Sequence, residues 1–225
     1  MQPAPTLRPT QAPWRQHPLL AFTALTALGC LVLAQWLDKP VALWLHYHAT
    51  GAVPFFEWIT NTADAALAAT FVGGRPTLFL GLGLAYLLVR WVLRQRWATV
   101  FLLVLLTYLS SIVSASMLQV AVHRPRPEVL FTLGAGVSFS FPSLHTATYW
   151  SLFWPLALAF PRWRALLLVV PVVIALGRLV LGEHYPSDVW AAIWLVVAWT
   201  ALWQWLLHLG GKRLRGRAAR RGFVK

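Results

Sequence analysis

From Ala98 to Val122 the chain runs for 25 residues without a charge, and from Pro18 to Leu37 it does so for 20. Either run, as a helix, is long enough to cross a hydrocarbon layer about 30 Å thick. Only 11% of the residues are charged, where an ordinary soluble domain carries about 25%. A soluble globular enzyme is thereby excluded, and a polytopic membrane protein takes its place. Apolar runs bounded by charge, Pro or Gly predict six spanning helices, at roughly 18–37, 75–93, 98–122, 146–160, 165–182 and 188–208. The fourth is short, which puts its true start in the preceding loop. The fold class is therefore all-α, a six-transmembrane-helix bundle occupying 18–208, with a Pro-rich flexible tail at 1–17 and a basic tail at 209–225.

The stretch Val53 to Val72 is not a clean span. Glu57, Asn61 and Asp64, at i, i+4 and i+7, share one helical face, while Phe55, Phe56 and Ile59 supply apolar surface. This predicts an amphipathic helix on the outer interface between the first and second spans. A connector is preferred there to a lid or a lipid-access ramp.

The formal charge of +13, from 19 Lys+Arg against 6 Asp+Glu, would suggest nucleic acid on a soluble chain. Sorted by side of the membrane, it sets an orientation instead. Arg8, Arg15, Arg90, Arg94, Arg96, Arg162, Arg164, Lys212, Arg213, Arg215, Arg217, Arg220, Arg221 and Lys225 share one side, and none of the acids does. Asp38, Glu57, Asp64, Glu128, Glu183 and Asp188 lie on the other, with Lys39, Arg75, Arg124, Arg126 and Arg178. The positive-inside rule makes both termini cytoplasmic. No nucleic-acid partner is needed, and the C-terminal cluster suits anionic lipid head groups. Trp36, Trp44, Trp58, Trp91, Trp97, Trp163, Trp203 and Trp205 fall near predicted helix ends, where indole rings favour the interface. The first span is too long for a signal core, and Cys30 inside it reads as an ordinary buried thiol. His46 and His48 have no third ligand close in sequence and read as interfacial histidines.

Ionisable groups at helix ends in a membrane protein are functional candidates by default. Three clusters stand out: Gln119 to Pro127 after the third span, Phe141 to His145 before the fourth, and Gly177 to Asp188 between the fifth and sixth. The orientation brings all three to the outer face. There Arg124, Arg126, Arg178, His145, His184, Ser143 and Asp188 form the inventory of an anion site. Guanidinium forks match phosphate oxygens, and a hydroxyl and free N–H groups at a helix start add donors. Arginines outnumber Asp188, Glu183 and Glu128, which favours a site without a metal, its charge neutralised by arginine. Asp188, four residues after His184, can accept a hydrogen bond from one ring nitrogen and present the other as a nucleophile. His145 can then serve as the general acid on the leaving oxygen.

The order Arg-Pro, then Pro-Ser-x-His, then Arg with five residues to His and three more to Asp resembles the type 2 phosphatidic acid phosphatase (PAP2) superfamily. Its membrane members are six-helix lipid phosphatases. The resemblance implies His184 as a nucleophile forming a phosphohistidine, Asp188 as its orienting partner and His145 as the acid. It implies Arg126, Ser143 and Arg178 as phosphate ligands. Two positions depart from the family pattern. Gln119 stands where the first motif has a lysine, which makes Arg124 a candidate replacement, and Leu144 stands where the second motif has a glycine. A backbone contact to phosphate at Leu144 requires its side chain to point away, and the Pro-Ser-Leu-His form resembles that of some head-group transferases of the superfamily.

These residues imply a cofactor-free membrane lipid phosphate phosphatase acting at the outer face of an inner, or plasma, membrane. Its substrate would be a phospholipid or isoprenoid phosphate or diphosphate. The rivals are a phosphotransferase using the same intermediate and a non-catalytic lipid-phosphate binding or transport protein; the latter would not need the His184/Asp188 pair. The orientation has a direct check: a thiol placed in the Arg162 to Arg164 connection is expected to react only from the cytoplasm. Labelling from the opposite side would overturn the assigned topology.

Overall fold

The structure, a computed structural model, describes residues 18–70, 75–92, 98–132 and 138–220. The proposed 1–17 tail lies outside the described residues. Helix α1 (Pro18–Val32) passes through a π turn at Leu33–Leu37 into α2 (Asp38–His48) without a break. Then come α3 (Val53–Thr70), α4 (Arg75–Leu87, continued by a π turn to Val92), α5 (Thr99–Val122), α6 (Leu144–Ala159), α7 (Arg164–Val180) and α8 (Pro186–Arg220). Among the described residues there is no strand; an isolated antiparallel bridge joins Pro125 to Phe139.

Four helical segments of the described residues are long and apolar enough to cross a membrane: Ala21–His48, Thr99–Val122, Pro161–Val180 and Pro186–His208. The 16-residue α6 and the apolar stretch Leu80–Trp91 are shorter. Helix α6 begins at Leu144, two residues ahead of the expected start, because Ser143 caps it. The first span was expected to stop near Leu37, where the charges of Asp38 and Lys39 begin. It continues to His48, because the π turn carries the helix on and Asp38 is buried against a cation rather than facing water.

Lipid tails are as apolar as leucine, so helices in a bilayer associate through close packing and interhelical hydrogen bonds. The interior reflects this. Ala115, Ala147 and Ala192, all fully buried, meet with Leu195 and Val196 where α5, α6 and α8 pack together. The indoles of Trp199 and Trp203 donate to Ser114 Oγ (3.1 Å) and Ser110 Oγ (3.0 Å), tying α8 to α5. Trp203, expected as an interfacial anchor, thus works between helices. Gly177 lets α7 approach α3: a Cβ there would stand 3.1 Å from the Phe56 ring. Large side chains such as Leu25, Leu31, Leu84 and Leu166 point outward.

One charged knot fixes the ends of these helices. Arg124, just after α5, donates to Asp38 Oδ2 (2.7 Å), Asp188 Oδ1 (2.8 Å) and Ser187 Oγ (2.6 Å). Its guanidinium also lies over the Tyr185 ring, 4.2 Å from the centroid. Asp38, with no exposed surface, further accepts from the Ser187 N–H (3.0 Å) and the Ser187 hydroxyl. Burial works against the charge of Arg124, and the Asp188 and Asp38 carboxylates more than offset it, raising its pKa above the ordinary arginine value. The knot joins α2, the exit of α5 and the start of α8. Removing one member of such a set leaves charge buried without compensation, at a cost of about 3 kcal/mol. Asp38→Ala is expected to lower the unfolding midpoint in detergent by several degrees; an unchanged midpoint would rule the knot out as a structural requirement.

Candidate active site

Local chemistry folds three loops against one another. Helix α5 stops at His123, which adopts a left-handed φ of 52° and donates its N–H to the Gln119 carbonyl (3.1 Å), before Pro125 and Pro127 prevent continuation. Ser140 crosses this exit, its N–H donating to the Arg124 carbonyl (2.8 Å) and its hydroxyl to that of Pro125 (3.1 Å). Ser143 Oγ accepts from the Thr146 N–H (3.3 Å) to cap α6, and its own N–H donates to the Asp188 carbonyl (3.2 Å). Beyond α7, Gly182 turns the chain with a φ of 68° that favours glycine. The segments carrying Arg126, Ser143, His145, Arg178, His184 and Asp188 are thus held together.

Arg126 and Arg178 converge on a single atom, Oε2 of Glu183. Arg126 reaches it at 3.0 Å, and Arg178, almost wholly buried, pairs with it as well. The Nε of each arginine is buried and has no hydrogen-bond partner. Buried guanidinium N–H groups are costly to leave unsatisfied, and two such donors beside a shared carboxylate describe a place built for an anion with several oxygens. The pair forms part of the wall of a cavity of about 740 Å³ that is also lined by His46, Glu57, Asn61 and Glu128. The His46 ring stacks on Phe131, 3.9 Å between centroids and nearly parallel. His46 therefore belongs to the cavity wall, whereas His48 turns back on its own helix, Nδ1 donating to the Trp44 carbonyl (3.0 Å).

Each of the two histidines has one ring nitrogen engaged. His184 is buried, with Nδ1 2.8 Å from the Ser140 carbonyl. A carbonyl only accepts, so Nδ1 carries the proton and Nε2 of the neutral ring keeps its lone pair. Burial lowers the His184 pKa below the usual imidazole value, with the nearby charges of Arg178 and Arg126 acting the same way and Asp188 opposing them. The ring is therefore neutral at neutral pH. His145 Nε2 lies 3.1 Å from Asp64 Oδ2, and the Tyr149 hydroxyl donates to Asp64 Oδ1 (2.7 Å). Burial alone would raise the Asp64 pKa; the hydrogen bonds from His145 and Tyr149 outweigh it, aided by the Arg178 charge, and hold the carboxyl below its ordinary value.

Several contacts fall differently from expectation. The hydrogen bond expected between Asp188 and the His184 ring is made by Ser140 instead. Asp188 Oδ2 is 3.7 Å from Nδ1, because its oxygens are taken by the Tyr185 N–H (2.7 Å) and Arg124. Arg124, the candidate replacement for the missing lysine, has both its terminal nitrogens committed to the knot. Gln119, at the family's lysine position, donates to the Pro142 carbonyl (3.0 Å) and so props the loop ahead of α6. Leu144 packs against the Ala115 and Ala147 cluster, which turns its side chain into the bundle. Sequence reasoning missed Asp38, Asp64, Tyr149 and Ser140. For the two aspartates a signal existed, since each is an acid in a mainly apolar stretch.

Membrane-length helices, with two arginines on a cavity wall and two anchored histidines at their ends, define a helical membrane protein with a candidate anion site. Residues 99–210 match the family model of the PAP2 superfamily. The chain belongs to that superfamily. A lipid A 1-phosphatase of Rhizobium etli is 35% identical over 89 residues, covering 35% of this chain and 38% of that protein. One of Rhizobium johnstonii is 35% identical over 88 residues, covering 35% and 36%. The chain thus matches little more than a third of the length of these relatives. The fold is similar to that of a transmembrane PAP2-type phosphatidylglycerolphosphate phosphatase from Bacillus subtilis, with a TM-score of 0.59 at 19% identity, covering 85% of this chain and 94% of that one.

The shared carboxylate leads to a binding prediction. If Glu183 holds the place of an incoming anion, Glu183→Gln removes a competitor and is expected to tighten inhibition by orthovanadate several-fold. Weaker inhibition in the variant would show that Glu183 supports the site rather than fills it.

Proposed function

We propose that this protein is a membrane lipid phosphate phosphatase working through a phosphohistidine. The observation that carries the reading is the pairing of two orphaned guanidinium nitrogens, Arg126 Nε and Arg178 Nε, with a neutral His184 whose Nδ1 is anchored on Ser140. The phosphoryl oxygens displace Glu183 and bind the two arginines, with the Ser143 hydroxyl as a further donor. His184 Nε2 attacks phosphorus, the bond to the lipid oxygen breaks, and that oxygen takes its proton from His145. Water then gives a proton to His145, attacks phosphorus and breaks the P–N bond, releasing phosphate and restoring both rings. Guanidinium charge supplies the stabilisation that a metal would otherwise give, so the reaction proceeds without one. Asp188 acts on His184 by position and charge, through the knot it shares with Arg124.

In this reading the segments α1–α2, α4, α5, α6, α7 and α8 are the six spans of one domain, 18–208, and α3 lies at the outer interface. The distribution of Lys and Arg supports cytoplasmic termini, a basic cytoplasmic tail from 209 and a site at the outer face of an inner or plasma membrane. The substrate is a phosphate monoester or diphosphate on a membrane-anchored lipid. The polar cavity beside the arginines, with Glu57, Asn61 and Glu128, suits a hydroxyl-bearing head group, and the likeness to lipid A 1-phosphatases supports testing glycolipid 1-phosphates alongside phospholipid and isoprenoid phosphates.

His184→Ala is expected to abolish phosphate release from lipid phosphates in detergent, while EDTA leaves the native protein active. Undiminished release by the variant overturns the mechanism, and inactivation by EDTA overturns the metal-free claim. A panel of glycerophospholipid, isoprenoid and glycolipid phosphates, scored for release and for transfer to added hydroxyl acceptors, separates hydrolysis from transfer.

A further inference from the structure

We infer that Asp64, on α3 and outside the region that matches the superfamily model, is the positioning residue of the general acid His145. The inference rests on the phosphohistidine reading above and adds to it a residue that none of the three motifs contains.

Three observations support it. His145 Nε2 is 3.1 Å from Asp64 Oδ2. The other carboxylate oxygen is fixed by the Tyr149 hydroxyl at 2.7 Å, one turn further along α6 than His145, so the carboxylate is held from two points on the helix that carries the histidine. The face of α3 bearing Glu57, Asn61 and Asp64 turns toward the site: the first two line the cavity and the third meets α6. Helix α3 is itself seated on α7 where Gly177 admits Phe56 and Thr60. Because Asp64 is held below the ordinary carboxyl pKa, its oxygen only accepts, and Nε2 of His145 must carry the proton.

The consequence is a defined route for the catalytic proton. With Nε2–H fixed by the carboxylate, Nδ1 of His145 is the nitrogen that gives a proton to the leaving oxygen as the P–O bond breaks. The same nitrogen takes one back from water as the P–N bond breaks. Neither step moves a proton onto Asp64. His184 has the opposite arrangement, with Nδ1 anchored and Nε2 reactive. What was expected to be a connector between the first two spans thus supplies a side chain to the reaction.

Leaving-group dependence tests this. A general acid matters when the departing oxygen is a poor leaving group, as in an alkyl or lipid phosphate, and little when it leaves readily, as in p-nitrophenyl phosphate. Removing such a group typically costs about 10² to 10⁴ in rate; misorienting it should cost less. Asp64→Asn is expected to lower the ratio of kcat on a short-chain phosphatidic acid to kcat on p-nitrophenyl phosphate by about tenfold or more, with KM little changed. Tyr149→Phe, which frees one carboxylate oxygen, should lower the ratio in the same direction by a smaller factor, and it serves if the Asn variant does not fold. Equal losses on both substrates, or no loss on either, would overturn the role given to Asp64. His184→Ala measured alongside keeps the two readings apart: activity retained there on either substrate defeats the phosphohistidine mechanism itself.

Discussion

The interaction on which the rest depends is the Arg124 knot. Charges are costly near a low-dielectric layer unless they are paired and hydrogen-bonded, and here one guanidinium serves two buried carboxylates from distant parts of the chain, Asp38 and Asp188. Because α2, the α5 exit and the start of α8 each contribute a member, the loop with His184 and the loop with Ser140 have a fixed frame. The knot also explains why Asp188 is not the direct partner of the His184 ring. Its oxygens are already used to hold the backbone that carries the ring, and a neutral carbonyl is left to orient it.

The two histidines gain opposite characters from their surroundings. His184 is buried, faces a carbonyl, and is held neutral with one lone pair available. His145 is partly exposed and faces a carboxylate, which keeps a proton on the nitrogen it touches. In the proposed reaction a nucleophile and a proton carrier would need those two environments, and the chain builds them from groups lying 44 and 81 residues away from the respective histidines. The arginines complete the arrangement, since the charge of Arg178 acts on both His184 and Asp64.

Much of this was legible in the residues. Uncharged runs marked α5 and α8, and the spacing of Arg178, His184 and Asp188 marked the candidate site, because both are properties of neighbouring positions. The failures involve long-range partners. Asp38 looked like the charge that ends a helix, since its cation lies 86 residues away. Arg124 and Arg126 are indistinguishable in sequence, yet one is bound up in the knot and the other turns to the cavity. The polar face of α3 could be read from Glu57, Asn61 and Asp64, but not its direction. Water would have suited that face as well as the cavity does.

Under the proposed reaction, Glu183 would bear on turnover as well as on binding. A carboxylate attached to the same loop as His184 is present at the arginines at an effective concentration far above that of most dissolved anions. Free inorganic phosphate must compete with it from bulk solution, whereas a lipid-borne phosphate is confined to two dimensions beside the site and meets it at high local density. The tethered acid would therefore set a threshold that a membrane-bound ester can exceed and the released ion, diluted into the aqueous phase, cannot. In such a site the arginines are vacated after each cycle by a group that never leaves the protein.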